Sequence, residues 1–190
     1  MGFRKVATVV LMVSVGLAST AGANDVTRKD ANDTRGRLDV SRVRHVQVTD
    51  SGKVSFLHTI RTFQPWKTRL LERDATEIDL WFSTDEDDDP ERVVYIKSKN
   101  GHVRAEMNTY NSYSHGASVG FMGTIRARRP DERSVQVFVP KRWIKRRGLR
   151  GYDWWLSTNF YRKEGSVCTE WYRCTDSVPD KGSYRHLSKG

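Results

Sequence analysis

From Leu38 onward the chain alternates apolar and polar residues with a period of two, and this pattern narrows its folds more than any other feature. Val54, Phe56, His58 and Ile60 alternate with Ser55, Thr59 and Arg61. Ile78, Leu80 and Phe82 alternate with Glu77, Asp79 and Trp81. Val103, Ala105 and Met107 form another set, as do Val135, Val137 and Val139, and Tyr152, Trp154, Leu156 and Phe160. Successive side chains of a strand point to opposite faces, so each run predicts a strand with one face in a core and the other toward water. Turn residues separate the runs. Asp50-Ser51-Gly52 divides the first two strands, Asn100-Gly101 is a two-residue hairpin signal, and Arg129-Pro130-Asp131-Glu132 joins Ile125 to Val135. Trp66 to Arg73 and Lys141 to Arg147 read as short helices, each behind a proline suited to a first turn. The sum is an all-β chain: a single antiparallel β-sandwich of about seven to nine strands with one or two short helices. A closed barrel is the alternative.

Six tryptophans and an aromatic content of 11% supply a core, and 190 residues suit one domain rather than a multi-domain enzyme. The N-terminus has a different character. Arg4 and Lys5 precede a nearly continuous apolar run from Val6 to Ala18, and Ala21-Gly22-Ala23 is a small-x-small cleavage site. This predicts a signal peptide over 1–23, a flexible leader over 24–37 and the β domain over 38–190. The protein is then secreted, with no transmembrane segment after cleavage, and monomeric. Cys168 and Cys174 do not form a C-x-x-C pattern and have no nearby histidine. In an oxidising compartment they predict a disulfide across a small loop.

His58-Thr59-Ile60-Arg61-Thr62, then Ile78-Asp79-Leu80 running into Ser83-Thr84-Asp85, then Arg129-Pro130-Asp131 before a valine-rich strand carry a resemblance. Over about Asp33 to Phe160 the chain resembles a group of uncharacterised small secreted proteins and domains from high-GC bacteria. Their sandwich is similar to that of carbohydrate-binding modules. The resemblance implies a fold, and no catalytic residues to carry over.

Aromatics out of phase with the core bear most directly on function. Trp81 and Tyr95 fall on the polar phase of their strands. Trp155 and Tyr161 share a face with Asp153, Ser157 and Asn159. Flat aromatic surfaces beside Asp, Asn and Arg hold sugars by stacking on C–H faces and bonding hydroxyls. Trp81, Tyr95, Trp155 and Tyr161 are therefore the candidate glycan site, and a second core layer on that face is the competing reading. Arg126, Arg128 and Arg129 form one basic cluster; Lys141, Arg142, Lys145, Arg146 and Arg147 form another. The net charge is +10, and signal cleavage lowers it by two. Such clusters attract anionic polymers. With export, the expected partner is an extracellular glycan or anionic surface polymer and not an intracellular nucleic acid. Solvated surface is the alternative.

Asp85, Asp87 and Asp89 have the i, i+2, i+4 spacing of a calcium loop. Pro90 stands where a turn glycine would sit, and Ile96 where a closing Glu would, so a solvated acidic hairpin tip competes with calcium as the reading. No other cofactor is expected. Gly116-Ala117-Ser118-Val119-Gly120 matches the G-x-S-x-G pattern without the strand-to-helix context that chemistry needs. His58 lies on the apolar phase and reads as a buried, hydrogen-bonded histidine. No catalytic residue is assigned. The main reading is a non-enzymatic secreted binding protein. The alternative is a secreted hydrolase, for example a nuclease, using His58 or His115 with a carboxylate.

Overall fold

A computed structural model describes residues 25–34, 36–50, 52–72, 76–84, 89–111, 118–144, 151–161 and 173–187. The fold is all-β. Its strands are β1 (Val26–Lys29), β2 (Val40–Asp50), β3 (Lys53–Thr62), β4 (Glu77–Ser83), β5 (Arg92–Lys99), β6 (His102–Asn111), β7 (Ser118–Asp131), β8 (Ser134–Pro140), β9 (Gly151–Tyr161), β10 (Arg173–Val178) and β11 (Tyr184–Leu187). A 3-10 turn, Thr68–Glu72, and a single helical turn, α1 (Lys141–Ile144), fall inside the two spans expected to be helical.

All pairings are antiparallel and form one continuous path, β1-β2-β3-β8-β7-β6-β5-β4-β9-β10, with β11 also on β9. β7 turns this path back on itself. Its first part, as far as Ile125, pairs with β6, and from Arg126 it pairs with β8. Gly123, at φ 151°, sits near this change of partner, and a Cβ there would meet Trp143 of α1 at 2.9 Å. The two halves of the curled sheet enclose one core, with Val43, Phe56 and Ile60 from one half and Ile78, Leu80, Phe82, Ile96, Met107 and Leu156 from the other. Each such side chain contributes about 2 kcal/mol by leaving water. The far ends of the path then meet. The Val40 N–H donates to Asp176 Oδ2 at 2.7 Å, and the Thr158 hydroxyl donates to the Leu38 carbonyl at 3.0 Å.

The hairpins follow turn chemistry. Asn100 and Gly101 both have positive φ, 54° and 75°, so the primed turn expected from Asn-Gly forms and Lys99 pairs with His102. Two expectations change. Among the described residues there are eleven strands rather than seven to nine, because β1, β10 and β11 are short and polar. The segment expected to be a flexible leader contains β1, which adds to the edge of β2 through backbone pairing and an Asp25–Arg44 ion pair. Residues 1–24 lie outside the described residues.

Candidate functional site

The outer face of the second half carries a row of directly paired residues: Trp155 (β9), Trp81 (β4), Val93 (β5), Asn108 (β6) and Phe121 (β7). The period of two puts them there. Leu80 and Phe82 point into the core, so Trp81 between them points out. The Trp81 and Trp155 rings are 6.3 Å apart and nearly parallel, at 12°. Tyr110 meets Trp81 edge-on at 5.0 Å. The Trp81 Nε1–H donates to Ser157 Oγ at 2.9 Å, which fixes the indole. Both tryptophans are half-buried, whereas Phe121 is 67% exposed.

One row along, Tyr95 pairs with Asp79, and Asp79 with Ser157. Burial, reinforced by Asp79 and Glu77, pushes the Tyr95 hydroxyl up to about 12, so it is a neutral donor at physiological pH. Asn159 Nδ2 donates to Asp79 Oδ2 at 3.1 Å, and the Thr175 hydroxyl donates to Asn159 Oδ1 at 3.0 Å. This face thus offers aromatic rings beside an ordered hydroxyl and an ordered amide, with the Asp79 carboxylate buried beneath them. The candidates Trp81, Tyr95 and Trp155 share it. Tyr161 ends β9, and its side chain lies outside the described residues. Phe121 was missed because the residues before it show no alternation.

The outer face of the first half is basic. Lys29, Arg42 and Arg61 share one cross-strand row; Arg44 and Arg128 share the next, with Thr59 and Gln136 between them. The Arg126 and Arg128 guanidinium groups lie over the Phe138 ring at 4.1 and 5.3 Å. Exposed carboxylates pair with Arg44, Arg61 and Arg126. Arg129 leaves this cluster: a register shift follows Arg128, and its guanidinium sits over Trp66 and donates to the carbonyls of Trp66 and Glu132. Lys141 and Arg142 belong to α1. Lys145, Arg146 and Arg147 lie outside the described residues.

Inside the molecule, three histidines form a chain. His45 Nδ1 is 3.1 Å from His58 Nε2, and His45 Nε2 is 2.9 Å from His186 Nδ1 and 3.2 Å from the Tyr152 hydroxyl. All three are buried among Phe56, Phe82, Tyr152 and Trp154. Burial, reinforced by His186, holds His45 down at about 3; burial, with His45 and His186, pushes His58 well below the usual imidazole range. His58 Nδ1 has no hydrogen-bond partner. Placing each proton on Nε2 lets His58 donate to His45 and His45 donate to His186, and leaves His58 Nδ1 as an unprotonated acceptor. A shallow pocket edged by Val26, Arg28, Trp154, Tyr184, Arg185 and Leu187 opens onto His45 and His186.

His58 is thus the buried, hydrogen-bonded histidine its phase implied. The pairing of His45 with His58 went unread, although a hairpin turn after Asp50 makes Asp50 oppose Lys53 and hence His45 oppose His58. No carboxylate of the described residues bonds to His58, and His115 lies outside them. Ser118 and Gly120 of the G-x-S-x-G match lie in β7 and not at a strand-to-helix turn.

Asp85 and Asp87 lie outside the described residues. Of the acidic turn, Glu91 accepts the Thr84 N–H at 2.6 Å and the Thr84 hydroxyl at 2.9 Å, which ties the base of the hairpin, and Asp89 follows the undescribed tip. Cys174 is buried on β10, and no free cysteine occurs among the described residues; Cys168 lies outside them. No helix among the described residues is long and apolar enough to cross a membrane. No family model, curated protein or solved structure matches this chain.

Proposed function

We propose that this protein is an exported, non-enzymatic binding module that holds a glycan on the outer face of β9, β4, β5, β6 and β7. The observation that carries this reading is the cross-strand pair Trp81–Trp155, in the same row as the exposed Phe121. Stacked indoles give a sugar ring an apolar floor, and Ser157 and the Tyr95 hydroxyl one row away, with Asn159 in the row beyond, stand to bond its hydroxyls. Export follows from the N-terminal pattern, and a Cys168–Cys174 disulfide belongs to the same oxidising destination.

The test is a glycan array or cell-wall pull-down followed by titration of tryptophan fluorescence. Trp155→Ala and Phe121→Ala should each weaken binding about tenfold, the loss expected from about 1.4 kcal/mol of stacking. Absence of binding, or binding unchanged in both variants and in Trp81→Ala, overturns the reading.

A second surface supports an anionic polymer as partner: the basic rows Lys29–Arg42–Arg61 and Arg44–Arg128 on the opposite outer face. Charge recognition there should weaken steeply with salt, whereas stacking should not. Retention on a polyanion that is insensitive to salt and to Arg42→Ala/Arg128→Ala counts against it.

A further inference from the structure

Where the ends of the strand path meet, the chain gathers five carboxylates. Asp33, Asp39 and Asp176 each place an oxygen within 4.8 Å of the others, and Asp30, Asp176 and Asp180 form an overlapping set. Asp39 immediately precedes β2 and Asp176 lies in β10, so the cluster spans residues distant in sequence. Asp39 and Asp176 are 2% and 3% exposed. Asp176 Oδ2 accepts the Val40 N–H. Asp39 Oδ1, by contrast, is buried with no hydrogen-bond partner, and Asp30 Oδ2 is in the same condition. A buried carboxylate oxygen without a donor is costly, and among like charges it is costlier still. Burial, followed by the neighbouring carboxylates, pushes Asp30 up to about 7 and Asp39 up to about 6. Burial, followed by the opposing effect of the Val40 N–H and then by Asp39 and Asp33, leaves Asp176 up at about 7. The charges that help raise these three groups are those of other aspartates.

We propose that Asp33, Asp39 and Asp176 form a calcium site that clasps the start of β2 to β10, with Asp30 and Asp180 beside it. The chemistry selects the ion. The donors are all hard oxygens, without the nitrogen or sulfur that zinc favours. Calcium–oxygen distances of about 2.3–2.6 Å keep any two ligands of one ion within about 5 Å of each other, and these oxygens, all within 4.8 Å of one another, meet that limit. Two donors come from the β1–β2 connection and one from β10, an assembly that suits calcium's loose geometry better than the near-ideal octahedron magnesium demands. A bound ion would supply the positive partner that Asp39 Oδ1 lacks and would cross-link the two ends of the curled sheet. This site is independent of the aromatic face and of the Asp85–Asp89 turn.

The test is calorimetric titration of the purified, chelator-treated protein with calcium chloride. Saturable binding at micromolar to millimolar calcium is expected, with at least tenfold weaker binding of magnesium. Asp39→Asn and Asp33→Asn should each weaken calcium binding tenfold or more. Asp33 is exposed, so its substitution tests the site even if Asp39→Asn fails to fold. Chelator-treated Asp39→Asn should melt no lower than the parent, because it removes an uncompensated buried charge; a purely structural aspartate would show the reverse. Absence of binding at millimolar calcium overturns the proposal. So does binding that survives Asp33→Asn and Asp39→Asn but is lost in Asp89→Asn, which places the ion on the acidic turn.

Discussion

The histidine chain and the carboxylate cluster lie along the same seam. His45 (β2) reaches His186 (β11) and Tyr152 (β9), while the Asp39–Val40 start of β2 reaches Asp176 (β10). The histidine chain buries three titratable groups in contact, and the carboxylate cluster buries two, Asp39 and Asp176, against the exposed Asp33. The histidines solve the problem internally, because a neutral imidazole is both donor and acceptor, and a row of them can pass hydrogen bonds along at no charge. Carboxylates accept only, so three together need protons or a cation from outside. Seen this way, one cluster stabilises the closed seam by itself and the other makes closure conditional.

The largest effect should come from the histidine side. His45→Ala removes the middle of the chain and leaves the His58, His186 and Tyr152 groups without their shared partner. A cavity plus unsatisfied polar atoms should cost about 4 kcal/mol in urea unfolding. Asp176→Asn, by contrast, should be near neutral in chelator, and an equal loss there would erase the distinction between the clusters.

Acidity should move the two in opposite directions. The histidines are held below their unfolded values, so their contribution is full above about pH 6.5 and is lost as pH falls. The aspartates are raised, so theirs is full below about pH 4 and is lost as pH rises toward 7. In chelator the two slopes oppose one another between these limits. The Asp39→Asn/Asp176→Asn variant should keep mainly the histidine limb, with stability rising to about pH 6.5; urea midpoints from pH 4 to 8 read this directly. A smaller effect is expected at the surface: Arg126→Ala should change stability by less than about 1 kcal/mol, because its pair with Asp50 is solvent-exposed.

Local pattern made much of the fold legible. Alternation marked β3, β4, β6, β8 and β9, and Asn100-Gly101 fixed a hairpin register. The same phase rule placed Trp81, Tyr95 and Trp155 on outer faces, but not beside one another, because the β4–β9 pairing joins segments far apart in the chain. β1, β10 and β11 were too short and polar to show a period, and those are the strands that bring Asp176 and His186 to the seam. Asp85, Asp87 and Asp89 carry calcium-like spacing within one local turn. Asp30 and Asp39, each with a buried oxygen that lacks a hydrogen bond, are instead joined by Asp176 from the far end of the chain, where no spacing rule reaches.

The most direct test of the conditional seam is thermal unfolding at pH 7 in excess calcium chloride and in chelator. At calcium one hundredfold above its dissociation constant, binding to the folded state alone adds about 2.7 kcal/mol. For a domain of this size that raises the Tm by about 5–10 °C. Melting curves that coincide in calcium and chelator would contradict the account.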